Sequence, residues 1–201
     1  LSDMNNSSPK PGLRERKKLK TRATIQENAL RLFREQGYQA TTVEQIAEAS
    51  EISPSTFFRY FSTKEAVVLE DDYDPLLIES FLKQPPELSI IQALKGAVKD
   101  GFDQIPEDEV VGIWERVSLS YEIPELQAAM IQQIITTGEM VASVIAQRQG
   151  CSKDELRVRS LAAAFVGIAM ASQKFFIEQH DRSYPDILTE ALSLLETGYN
   201  F

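Results

Sequence analysis

The sequence predicts an all-α protein in two parts, a small N-terminal helical domain and a larger helical body. Three observations carry this. Apolar residues recur at helical spacing, and no stretch of the 201 residues sustains period-2 alternation. Capping hydroxyls and prolines divide the chain at intervals that suit helices. Charge is polarised: residues 1–64 hold 11 Lys/Arg against 7 Asp/Glu, net +4, whereas residues 65–201 hold 10 against 23, net −13. A basic head on an acidic body suits a protein that approaches a polyanion with one end only.

Other classes fit poorly. The one cysteine, Cys151, forms no internal disulfide, so a reducing, cytoplasmic setting is expected. The longest apolar run, Leu161 to Ala171, is short for a membrane span, and the N-terminal LSDMNNSSPKPG has no apolar leader segment. His180, the sole histidine, has no second ligand at metal spacing, so neither a metal nor a cofactor is expected.

Residues 1–19 read as a disordered basic arm, rich first in Ser, Asn and Pro and then in charge from Arg14 onward. The cationic run to Arg22 reads either as a solvated helix start or as an arm for phosphates or a minor groove. Ile25, Ala29, Leu32 and Phe33 then mark the buried face of a first helix, which Gly37 ends. Thr42 with Gln45 has capping-box spacing and opens a short second helix with Val43, Ile46 and Ala47 inward. Ser53 before Pro54 opens a third. On it Phe57, Tyr60 and Phe61 share a core face, while Ser55, Thr56, Phe58 and Arg59 point away. Two short helices joined by a tight turn, the second presenting hydroxyls, an aromatic and a cation, form a helix-turn-helix suited to a DNA groove. Ser62 with Glu65 is a further capping box, placing Lys64 in the first turn of a fourth helix, where a phosphate is well received.

These residues carry a family resemblance. GYQATTVEQIAEAS followed by ISPSTFFRYFSTKEAVV, within residues 22–68, resembles the N-terminal domain of the TetR family of bacterial transcriptional regulators. The resemblance implies a helical homodimer with one DNA-binding domain per subunit, over residues 20–66. It also implies a ligand-binding and dimerisation domain over 67–201, whose small-molecule effector lowers DNA affinity. The positions matching the family's DNA-contacting pattern are Thr42, Ser53, Thr56, Phe58, Arg59, Tyr60 and Lys64; Arg22, Pro54 and Ser55 complete the expected DNA-binding set. Two positions depart from the pattern. Glu51 stands where the family has a turn glycine, at a cost of order 1 kcal/mol if φ is positive. Phe58 stands where a tyrosine is usual, so a hydroxyl contact to phosphate is missing.

In the body, Asp74-Pro75 interrupts the fourth helix and restarts a segment to Gln84, which Pro85-Pro86 stops. Ser89 with Gln92 opens a fifth helix to about Gln104, Pro106 opens another containing Trp114, and Pro124 begins a long one ended by Gly150. Ser152 with Glu155 caps the next, to about Gln179, and Ser183-Tyr184-Pro185 starts the last, which ends near Gly198.

Small residues in the penultimate helix and a broad apolar surface on the last suit either a two-fold four-helix interface or the centre of a monomer. For the interface the expected residues are Ala164, Gly167, Ile168, Ala171, Leu188, Leu192 and Leu195. Phe102, Trp114, Tyr121, Met130, Ile134 and Phe165 read as core or, given the resemblance, as the lining of a cavity for an apolar or amphipathic effector. Arg116, Glu122, Gln133 and Glu139 are candidate polar contacts. The functional expectation is a ligand-responsive regulator, a repressor released by its inducer. A helical enzyme lacks a Glu-x-x-His pair or phosphate loop, and the segregated basic head speaks against a scaffold that does not bind DNA.

Overall fold

The computed structural model of the chain describes residues 13–70, 73–179 and 181–198, so His180 and residues 1–12 lie outside it. Among the described residues are ten α-helices and no strand. The chain divides into two units, Leu1–Val67 and Val68–Phe201.

In the first unit, α1 (Leu13–Gln36) takes in the whole cationic run, so residues 13–19 are helical and do not belong to an unstructured arm. The reason is local. Neither Gly nor Pro occurs from Leu13 to Gln36, and Lys, Arg, Glu, Gln, Leu and Ala all favour helix. Ile25, Ala29, Leu30 and Phe33 bury one face, and Gly37, at φ 87, ends the helix. The second helix, α2 (Val43–Ala49), opens on the expected reciprocal cap. The Gln45 amide donates to Thr42 Oγ1 at 3.2 Å and the Thr42 amide to Gln45 Oε1 at 2.9 Å, a motif contributing about 1 kcal/mol.

The turn into α3 (Pro54–Tyr60) passes through Glu51 at φ 54, the only non-glycine residue with positive φ among those described. Side chains with no or almost no exposure, Ile25, Ile46, Phe57, Phe61 and Val67, form this unit's core. α4 (Ala66–Leu69) is a single turn, not a helix running to Asp74. Its opening also differs from the expected Ser62–Glu65 box. The Ala66 amide donates to Thr63 Oγ1 at 3.1 Å, while Glu65 turns away to accept from the Tyr38 hydroxyl at 2.8 Å.

The second unit comprises α5 (Asp74–Lys83), α6 (Ile90–Phe102), α7 (Glu107–Glu122), α8 (Pro124–Gln149), α9 (Leu156–Glu178) and α10 (Tyr184–Thr197). Its boundaries follow the sequence signals. Ser89 and Gln92 cap α6 reciprocally, Ser183 caps α10, and Gly150 closes α8 in the left-handed conformation at φ 62. At α9 the helix begins after Glu155, and the Ser152 amide donates to its carboxylate at 3.3 Å.

The helices pack in the order α5 on α6, α6 on α10, α10 on α9, α9 on α8 and α8 on α7. Their shared core holds Phe81, Leu94, Val98, Ile145, Ala162, Tyr184, Leu188 and Leu192. Arg148 ties the end of α8 to the end of α5, donating to the Gln84 carbonyl at 2.9 Å with its guanidinium 5.4 Å over the Phe81 ring. α6 can lie close to α5 because Gly101 lacks a side chain; a Cβ there would meet Leu77 Cδ2 at 2.5 Å.

This arrangement corrects the expected dimer face. Leu192 is 0% exposed and Leu188 2%, both spent in the protomer's own core, because α10 is wedged between α6 and α9. Leu195 and Ile168 are half-buried against the same core and Ala164 is half-buried, whereas Gly167 and Ala171 of α9 face outward. α8 and α9 are long and apolar enough, over a window wider than Leu161–Ala171, to cross a membrane. They are helices of this bundle, with Leu126, Ala142, Ile145, Val158 and Ala162 packed inside it.

Candidate nucleic-acid interface and effector cavity

The N-terminal end of α3 is a cluster of exposed hydroxyls. Ser53 Oγ accepts from the Thr56 amide at 3.1 Å and lies 2.8 Å from Ser55 Oγ and 2.9 Å from Thr56 Oγ1. Pro54 occupies the first helical position, where a missing amide costs nothing. Beyond the hydroxyls, Phe58 stands 54% exposed, its ring edge-on to buried Phe57 at 5.4 Å. Arg59 is exposed, 5.6 Å over the half-buried Tyr60 ring. Phe57 and Phe61 anchor the opposite face. The helix is therefore fixed from behind and offers hydroxyls, an aromatic edge and a guanidinium outward, the set that reads base edges and positions on phosphate.

Two expected DNA-binding cations are placed otherwise. Arg22 is 9% exposed, with its guanidinium 4.1 Å over the Phe61 ring and Nη1 donating to the Tyr60 carbonyl at 2.9 Å. It supplies a donor and a positive charge to the C-terminal end of α3, where carbonyls lack intrahelical partners. Lys64 donates to the carbonyls of Tyr38 at 2.9 Å and Thr41 at 3.1 Å and sits 4.0 Å over the Tyr38 ring. Beside it, burial alone would raise the Glu65 carboxyl, but its hydrogen bonds to backbone, Tyr38 and Thr63, with the Lys64 charge, bring it below the ordinary value. Thr42 is exposed at the start of α2, and Lys17, Lys18 and Lys20 are exposed along α1.

The second unit holds two adjoining cavities. The first, of about 230 Å³, is walled by Leu77, Val98, Phe102, Trp114, Val141 and Phe165 among others. Its aromatic wall is continuous: Trp114 lies 4.2 Å from Phe176 and 4.8 Å from Tyr184, and Phe102 lies 5.3 Å from Tyr184. The second, of about 180 Å³, is walled by Met130, Ile134 and Phe165 together with Arg116, Ser120, Gln133 and Gln173, and by Val68 and Leu69 of α4.

Of the six residues expected to line a cavity, Phe102 and Trp114 border the first, Met130 and Ile134 the second, and Phe165 both. Tyr121 stands behind the wall, its hydroxyl donating to the Met170 carbonyl at 3.0 Å and to Gln173 Oε1 at 3.4 Å. Arg116 and Gln133 reach the second cavity, Glu139 borders a separate groove between α8 and α9, and Glu122 is exposed. Burial pushes the Tyr121 phenol up, and burial with the neighbouring Tyr121 pushes Tyr184 up further, so both remain proton donors at neutral pH. Sequence reasoning missed Leu77, Gln173 and Tyr184, because helical spacing marks them as buried without telling cavity wall from filled core.

Residues 25–70 match the sequence model described as bacterial regulatory proteins, tetR family, and residues 88–200 match that described as the MftR C-terminal domain. The HTH-type transcriptional regulator TcmR of Streptomyces glaucescens is 33% identical over 176 residues, covering 83% of this chain and 78% of TcmR. MftR of Mycobacterium tuberculosis is 24% identical, covering 87% of this chain and 88% of that protein. Among solved structures, Thermus thermophilus FadR, a transcriptional repressor in complex with lauroyl-CoA, superposes with TM-score 0.54 at 22% identity, covering 90% of this chain and 95% of that one. A regulator from Syntrophomonas wolfei gives 0.58 at 18% identity, covering 90% and 97%.

Proposed function

The chain belongs to the tetR family of bacterial regulatory proteins, and we propose that it is a cytoplasmic, dimeric repressor whose hold on its operator is broken by a small molecule taken up in the helical body. It is a ligand-responsive DNA-binding transcriptional regulator, not assigned any catalytic step. The observation that carries the reading is the outward edge of α3, where Ser53, Ser55, Thr56, Phe58 and Arg59 stand free of the core that Phe57 and Phe61 anchor.

In this mechanism two copies place their α3 helices in successive major grooves about one DNA turn apart. An effector that binds better to the conformation with the wrong spacing shifts the population away from DNA. Support for the route comes from α4: Val68 and Leu69 wall the second cavity and follow directly on Val67, the last residue of the DNA-binding unit. The copies meet through the outward face of α8 and α9. There Ile131 and Ile135 are 63% and 52% exposed, and Gly167, Ala171 and Phe175 are also uncovered. An apolar stripe on that scale is what an obligate homodimer buries.

Selection of genomic fragments on the purified protein, followed by titration of the enriched sequence, tests the reading. A palindromic site bound by two copies, with affinity well above that for random duplex, is expected. Equal affinity for enriched and random DNA would overturn it.

A further inference from the structure

Neither cavity alone reaches the roughly 300 Å³ at which pockets for drug-sized ligands begin, whereas the two joined do. They adjoin across six shared wall residues, Ile113, Val117, Thr137, Phe165, Ala169 and Gln173. Their chemistry differs. The first is apolar and aromatic, and Asp74 is the one charged side chain in its described wall. Toward the second point the groups that donate to oxygen: Arg116, Gln133 and Ser120. Between them Gln173 is braced by the phenol of Tyr121, which donates to its Oε1, and by a hydrogen bond with Tyr184. With that oxygen occupied, the amide nitrogen is the end able to donate to a guest.

We propose that the two cavities are one bipartite effector site for a single amphipathic molecule. Its apolar body lies against Phe102 and Trp114, and its oxygen-bearing head lies by Arg116 and Gln133, with Gln173 at the passage. This rests on the reading of the chain as an effector-released repressor and divides the labour of the site. Burial of the body in the first lobe supplies affinity at about 25 cal/mol per Å² of apolar surface. The head, in the lobe walled by Val68 and Leu69, supplies the difference in affinity between DNA-competent and incompetent states, without which no ligand shifts the population. A molecule with a body and no head binds without releasing DNA. A cationic head is repelled by Arg116.

The single tryptophan lies in the first lobe, so its fluorescence reports occupancy there without any DNA. The full-length protein is titrated with butylbenzene, para-butylbenzyl alcohol, para-butylbenzoate and para-butylbenzylamine, followed by Trp114 emission and by anisotropy of labelled operator. All but the amine are expected to change Trp114 emission, and only the alcohol and the benzoate to release operator. The benzoate should bind about ten-fold tighter than butylbenzene, the worth of a charge-assisted hydrogen bond. Arg116→Leu should remove that advantage and leave butylbenzene unaffected; Gln173→Leu, close to isosteric, should weaken both oxygen-bearing ligands.

Release of operator by butylbenzene at equal Trp114 occupancy overturns the division of labour. An amine that binds as tightly as the benzoate overturns the assignment of the head lobe, and Trp114 emission unchanged by all four overturns the body lobe. If the protein shows no operator preference, the repressor reading fails while the Trp114 titrations still decide the site.

Discussion

Arg22 closes the C-terminal end of the recognition helix: its Nη1 donates to the Tyr60 carbonyl at 2.9 Å, across 38 positions in sequence, while its guanidinium covers the Phe61 ring. A residue expected to touch DNA thus sets where the DNA-touching helix sits. Arg22→Ala leaves that carbonyl without its donor, and a loss of about 1–3 kcal/mol in the stability of the N-terminal unit is expected. Urea unfolding measures it; an unchanged midpoint together with a reduced salt slope for DNA binding would return Arg22 to the phosphates.

Thr56 and Arg59 carry the contrast. Thr56→Ala or Arg59→Ala should weaken the specific operator by about 1–3 kcal/mol with the fold intact. Lys64→Ala should lower the melting temperature by removing the donor to Tyr38 and Thr41, with the salt slope unchanged. A slope lower by about 0.9 would place Lys64 on a phosphate instead.

Glu51 holds a left-handed conformation that a Cβ disfavours. Glu51→Gly relieves it and Glu51→Val worsens it. A gain of up to about 1 kcal/mol for glycine and a loss of at least that for valine are expected in chemical denaturation.

Glu65 makes the N-terminal unit sensitive to acid. Its folded carboxyl titrates below the ordinary value, so its contribution is complete above the unfolded pKa and is lost as pH falls through the folded one. Between pH 6 and pH 3, order-of-magnitude bounds on a carboxylate window, wild type should lose more stability than Glu65→Gln. Parallel curves for the two would remove Glu65 as the source.

Leu192→Arg should unfold the body, because a charge replaces a side chain with no exposure; losses of about 4 kcal/mol or more are usual for such a change. Ile131→Glu with Ile135→Glu should instead give folded monomers in sedimentation. Folded monomers from Leu192→Arg, or intact dimers from the double variant, would reverse the assignment of the faces.

The helices of this protein were legible in its sequence because their signals are local. A Thr42–Gln45 or Ser89–Gln92 cap closes over three residues, Gly150 needs only its own φ, and the turn strain at Glu51 follows from one missing glycine. The outward hydroxyls and aromatic of α3 followed from the same 3.6-residue period that turned Phe57 and Phe61 inward. Periodicity reports that a side chain is buried and stays silent about what buries it. Leu188 and Leu192 have the pattern of an interface whether the partner is a second copy or, as here, α6 and α9 of the same chain. Arg22 and Lys64 look like phosphate ligands by charge, yet the carbonyls they serve lie 38 and 23 to 26 residues away. Only the folded chain brings those orphan acceptors within reach. A buried carbonyl left unpaired costs more than an exposed cation gains from solvent-screened phosphate, and that inequality drew both side chains inward.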